Sequence, residues 1–142
     1  MSRKTFGVMA LGLLLAAPGV AQLYRQVNLV SDIAGVATVT DPMLINPWGV
    51  SFNSTGSPFW VSNQGTSTAT VYQVTGSSDV SNVGLRVGIP GPPTGQVSNG
   101  SPGFVVSQDS ASGPAAFLFA ALNGTISGWN PNVPPPVPPA TL

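Results

Sequence analysis

One pattern restricts the folds open to this chain more than any other: a segment of its middle recurs, weakened, further on. Asn46-Pro-Trp-Gly-Val-Ser-Phe-Asn53 and Ser57-Pro-Phe-Trp-Val-Ser-Asn63 return as Pro93-Thr-Gly-Gln-Val-Ser-Asn99 and Ser101-Pro-Gly-Phe-Val-Val-Ser107. Pro47, Gly49 and Asn53 fall on Pro93, Gly95 and Asn99, 46 residues on. Phe59 and Ser62 fall on Phe104 and Ser107, 45 residues on, and Thr70-Val-Tyr72 on Ala116-Phe-Leu118. A period of that size in a strand-rich chain marks propeller blades, each a small four-stranded sheet. The predicted fold class is therefore all-β, of β-propeller type. About two four-stranded blades of an incomplete ring follow a signal-peptide helix.

The first blade is expected over 47–92. Its strands are Gly49–Asn53, Pro58–Ser62, Ala69–Val74 and Val83–Ile89, the last weakened by Gly84 and Gly88 and so placed at an outer edge. The second blade, 93–129, is expected to use Gly95–Asn99, Phe104–Ser107, Ala115–Leu122 and Thr125–Trp129, with Gln108–Pro114 as a polar loop. Asn123-Gly124 reads as the two-residue turn of a tight hairpin, because both residues tolerate positive φ. Before the blades, 22–46 is a lead-in. Leu23–Val30 is expected to be one extended strand, and Asp41-Pro42 suits the cap and first position of a single helical turn. After Trp129 comes a Pro-rich disordered tail, 130–142, whose prolines cannot donate to a sheet.

The N-terminus has the layout of a secretory signal peptide, 1–21. Arg3 and Lys4 form a cationic start, Phe6–Ala17 is apolar, and Gly19 and Ala21 are small residues at the two positions a signal peptidase reads. Cleavage is expected between Ala21 and Gln22. The apolar run is shorter than the roughly 20 residues of a membrane span, so no stable span is expected after cleavage. The product is expected outside the cytoplasm: secreted, periplasmic or on the cell surface.

Composition closes off most chemistry. Charged residues make up 6% of the chain, against roughly 25% in ordinary soluble domains. That leaves no basic patch, so nucleic acid is not an expected partner. The chain has no Cys, no His and no Glu. The usual nucleophile and acid–base sets cannot be assembled, and the four Asp are not spaced as a metal loop. No catalytic, metal or cofactor residue is assigned, and no cofactor is expected. Asn46, Asn53, Asn63, Asn99 and Asn130 carry carbonyl oxygens but read as turn or strand-end residues. Trp48, Trp60 and Trp129 are candidates for a sugar-binding surface or for interblade packing. Asn53, Asn99 and Asn123 head glycosylation sequons that turn chemistry also explains.

A resemblance rests on Leu29–Gly35, Asp41–Gly49, Phe59–Asn63, Ile89–Pro93 and Asn123–Pro131, with Asn-Pro-Trp-Gly and Gly-Thr-Ile-Ser-Gly-Trp-Asn-Pro the most specific strings. These segments resemble an uncharacterised family of secreted bacterial β-propeller proteins, some of which carry a PEP-CTERM sorting signal. The resemblance implies that the chain is an N-terminal fragment, the first third of a six-bladed ring, and it brings no established activity. The expected function is that of an exported, non-catalytic propeller binding or surface protein. The expected ligand class is a glycan or an extracellular-matrix component, and self-association through open blade faces is expected. The alternative is a fragment of an exported lactonase-like hydrolase whose catalytic residues lie in blades outside this chain. The leader is directly testable: expression in a secreting host yields a protein whose first residue is Gln22, and a mass retaining residues 1–21 overturns the assignment.

Overall fold

The computed structural model describes residues 24–56, 58–133 and 140–141. It is an all-β molecule whose strands are β1 (Val30–Ser31), β2 (Val39–Thr40), β3 (Pro47–Ser51), β4 (Phe59–Asn63), β5 (Thr68–Val74), β6 (Val80–Gly88), β7 (Pro93–Ser98), β8 (Val105–Gln108), β9 (Ala111–Pro114), β10 (Phe117–Ala121), β11 (Ile126–Trp129) and β12 (Ala140–Thr141). The expected signal helix, 1–21, and the cleavage pair Ala21 and Gln22 lie outside the described residues.

β3, β4, β5 and β6 form an antiparallel meander, the four-strand unit that the first repeat predicts. β-branched and aromatic residues dominate β4 and β5, and sharp turns separate the strands. A 3-10 turn, Gln64–Thr66, followed by Ser67 in the left-handed region, joins β4 to β5. Gly65 is required there: a Cβ would come within 2.6 Å of Ile45 Cγ2. β6 begins earlier than expected and carries an irregularity at Gly84, which has a φ of +83°. A second sheet has the order β11-β10-β7 and is antiparallel throughout.

The second repeat is not built as the sequence spacing suggests. Phe104–Ser107 does not follow β7 into its sheet. Instead β8 pairs with β9 in a separate hairpin turned at Asp109-Ser110, and the segment read as a polar loop is mostly strand. The true partner of β7 is β10. Gly49 stands opposite Ser62 in the first sheet and Gly95 opposite Ala120 in the second, so β3 corresponds to β7, β4 to β10 and β5 to β11. The hairpin is an insertion. It misleads a linear comparison because Phe-x-x-Ser recurs inside it by composition, not by position in the sheet.

Three smaller expectations also change. The Asn123-Gly124 turn is wider than a two-residue hairpin: Gly124 N donates to Ala121 O and Gly124 alone has positive φ, the arrangement of a turn followed by a bulge. Of the strand expected over Leu23–Val30, the described residues 24–29 are not strand. Only Val30–Ser31 pairs, parallel to β2. Asp41-Pro42 begins a turn rather than a helix, with Leu44 N donating to Asp41 O. Within the expected tail over 130–142, Val133 is buried and bridges Asn130, and Ala140–Thr141 pairs in parallel with β6, while residues 134–139 and 142 lie outside the described residues.

The main core lies between the two sheets. Trp60, Ala69, Val71, Val87 and Ile89 of the first face Phe117, Phe119 and Trp129 of the second. The Trp60 ring stacks on Phe117 at 4.3 Å between centroids and meets Trp129 at 4.7 Å. Gln96 spans the same interface: Ser62 Oγ donates to its Oε1 at 2.8 Å, and its Nε2 donates to the carbonyl of Trp60. A Cβ on Gly49 would lie 3.2 Å from the Gln96 nitrogen, so glycine lets β3 and β7 approach closely. The described sheets form no closed ring. Trp60→Ala removes the centre of this core and is expected to cost about 3–5 kcal/mol in urea denaturation, the usual range for a buried large aromatic; a loss below about 1 kcal/mol would place the main core elsewhere.

Candidate functional site

The opposite face of the first sheet is polar where the other is apolar. Pairing puts Thr70 of β5 opposite Arg86 and Tyr72 opposite Asn82, so these side chains rise on one side. The lead-in crosses this side. Leu44 and Val30 pack on Val61, Tyr72 and Val80 in a small second cluster. The turn at Asp41 then sets a carboxylate onto the sheet.

Asp41 is 5% exposed, unusually deep for an acid in a chain with so few charges. Its Oδ1 accepts from Met43 N at 2.9 Å, the contact of a capped turn. Its Oδ2 accepts from Tyr72 Oη at 2.7 Å and from Asn82 Nδ2 at 2.7 Å. Three donors therefore satisfy the carboxylate, two of them from strands more than 30 residues away. This is what makes its burial affordable. Asp41 thus caps its own turn and pins the lead-in to β5 and β6. Burial, then the adjacent Asp41 carboxylate, holds the Tyr72 phenol well above its ordinary range, against a lowering contribution from Thr70.

Beside this lock is an open cleft of about 570 Å³ lined by Asp41, Met43, Thr70, Asn82, Gly84, Leu85 and Arg86. Arg86 brings a guanidinium to this lining, and Thr70, whose hydroxyl accepts from Asn63, is also part of it. Gly84 N donates to Asn82 Oδ1, which fixes the asparagine that also serves Asp41. Nearby, Asn63 is fully buried and donates to Thr68 and Thr70; its Oδ1 finds no partner among the described residues. Among the described residues no group of three or more His, Cys, Asp or Glu stands together as a metal site.

The other residues singled out from sequence are dispersed. Asn46 is a left-handed turn residue whose Nδ2 donates to Gln64. Asn99 closes the loop after β7, donating to Ser101, Gly103 and Ala115 carbonyls. Asn130 donates to the Pro114 carbonyl. Each sequon asparagine accepts the amide of the residue two places on, at Thr55, Ser101 and Thr125. Trp60 and Trp129 are core, whereas Trp48 is 61% exposed. The residues that sequence reading missed are Tyr72, Asn82 and Arg86. They are unremarkable strand residues until the register of β5 and β6 sets them beside Asp41.

No helix among the described residues is long and apolar enough to cross a membrane. The pH dependence of stability follows from Tyr72. Its folded pKa is raised, so its contribution is fully present below the unfolded value of about 10 and is lost as pH rises past it. Chemical denaturation should show a decline in stability above that pH which Tyr72→Phe abolishes. Near neutral pH the same substitution should cost about 1–3 kcal/mol by removing a donor from a buried carboxylate.

No family model matches the chain, and no solved structure does. Two uncharacterised proteins of Acanthamoeba polyphaga mimivirus are similar to it. Uncharacterized protein R648 is 32% identical over 109 residues, covering 75% of this chain and 27% of that protein. Uncharacterized protein L690 is 31% identical over 109 residues, covering 75% of this chain and 29% of that protein. The chain thus spans little more than a quarter of the length of the curated relatives it matches. The expectation of a secreted bacterial propeller family is corrected by this finding: the similarity runs to viral proteins of uncharacterised function.

Proposed function

We propose that the chain is a non-catalytic binding module of propeller-type blades, exported by its leader. Its recognition site is the cleft beside Asp41, and its ligand is a glycan bearing a carboxylate. The observation that carries this reading is the division of labour in the cleft. The one buried acid accepts from Met43, Tyr72 and Asn82, so it holds the wall in place. The lining offers instead the guanidinium of Arg86, a group that suits an anionic molecule. Arginine pairs with a carboxylate through two parallel hydrogen bonds, which gives both affinity and orientation. Support for blades comes from the four-strand meander and from a second sheet that repeats its first three strands in register. The cationic and apolar N-terminal residues support export.

A glycan array probed with the secreted chain should light up uronic or other acidic sugars over their neutral counterparts. Arg86→Ala should weaken that binding by about tenfold or more, the effect of losing one charged hydrogen bond. An array blank for acidic sugars, or binding indifferent to Arg86→Ala, overturns the proposal.

A further inference from the structure

Counting hydroxyl protons on the polar face of the first sheet singles out a residue that does not line the cleft. Asn63, Thr68 and Thr70 stand on that face, and Thr66 ends the 3-10 turn between β4 and β5. A threonine hydroxyl has one proton to donate. Thr66 Oγ1 donates its proton to the Met43 carbonyl at 2.9 Å. The 2.8 Å contact between Thr66 and Thr68 is therefore closed by the proton of Thr68. Thr68 has no second proton, so it accepts from Asn63 Nδ2, at 3.2 Å. The last link fixes the direction of the whole row.

The same amide nitrogen donates to Thr70 Oγ1 at 2.9 Å. Thr70 hydrogen-bonds the Tyr72 phenol in the sense that favours the phenolate, which is that of a donor. Tyr72 Oη donates to Asp41 Oδ2 at 2.7 Å. Two rows thus leave one amide and end on one turn, at the Met43 carbonyl and the Asp41 carboxylate. Reversing the amide would break this order. Thr68 would then donate to Asn63, and the Thr66 and Thr68 oxygens would face each other at 2.8 Å with no proton between them. Asn63 is fully buried, and its Oδ1 meets no partner among the described residues, so the residue serves through its two amide protons.

We infer that Asn63 is a positioning residue for the cleft: its amide sets the direction of both rows and so holds the Asp41–Leu44 turn against β5. Asp41 and Met43 of that turn line the cleft. Both amide protons go to threonines, so Asn63 reaches the turn only through them. The effect on binding rests on the cleft being the recognition site; the holding of the turn does not.

Thr68 offers the decisive substitutions, because its hydroxyl relays between Asn63 and Thr66. Thr68→Val keeps the shape and removes the relay, whereas Thr68→Ser keeps the hydroxyl and removes a methyl. Hydrogen exchange of the full chain, followed by NMR, reads the turn at the Met43 and Leu44 amides, which donate to Asp41 Oδ1 and to the Asp41 carbonyl. Thr68→Val should speed both about fivefold, the factor one net hydrogen bond is worth, and leave the β10 amides unchanged. Thr68→Ser should restore the natural rates. Thr70→Val cuts the other row, should act as Thr68→Val does, and decides the matter if Thr68→Val fails to fold. Turn amides unmoved by the valine variants, a serine variant that exchanges faster than the valine one, or equal acceleration in β10 overturns the inference. Glucuronate affinity should fall by a similar factor in Thr68→Val, and equal affinity overturns the link to the cleft. A natural chain that binds no glucuronate counts against the recognition reading alone, and the exchange rates still decide whether Asn63 holds the turn.

Discussion

Everything in this fold hangs on the contact of two sheets through Trp60. A chain with 6% charged residues has little surface electrostatics to draw on, and one without cysteine has no cross-links. Its cohesion has to come from apolar area removed from water, and the largest block of that area is the layer of aromatics between β4 and β10. An aromatic layer alone would permit sliding. Gln96 prevents it, because its amide reads both Ser62 and the Trp60 carbonyl, and a shifted sheet would leave those groups unpaired in a dry interface. Gly49 sets how close the inner strands come. Packing supplies the energy, and one glutamine and one glycine set the alignment.

The polar face of the first sheet follows a different logic. A buried carboxylate costs several kcal/mol unless it is paired or fully hydrogen-bonded. Among the described residues Asp41 relies on three neutral donors rather than on an ion pair. That arrangement converts a short turn into a fixed anchor: the lead-in can dock only where Tyr72 and Asn82 stand side by side. The cleft is a by-product of the same docking, walled by the anchor on one side and by Arg86 on the other. The cleft and the anchor therefore share residues, whereas Arg86 makes no part of the anchor.

Much of the first sheet was legible in the sequence. Period-two alternation in Phe59–Asn63 and Thr68–Val74, bounded by glycine, asparagine and serine, marks strands of a meander with little ambiguity. The second sheet was less so. Its first strand sits at the expected spacing, but the β8–β9 hairpin intervenes before the next, and the alternation Ala-Ser-Gly-Pro is too weak to announce β9. Of the site, only Asp41 drew attention, and only as a cap. Its long-range partners carry no local signal.

The amino-acid sequence by itself determined that this would be an all-β chain, roughly where the four strands of its first sheet would run, and that glycine would stand at the turns. Local preference and side-chain period are enough for that, since both act over a few residues. Which strands joined which sheet, that Asp41 would meet Tyr72 and Asn82, and that Gln96 would be a bridge rather than a misplaced polar residue were decided by the tertiary structure. Those outcomes depend on register between strands distant in the chain, and register is settled when whole faces pack together.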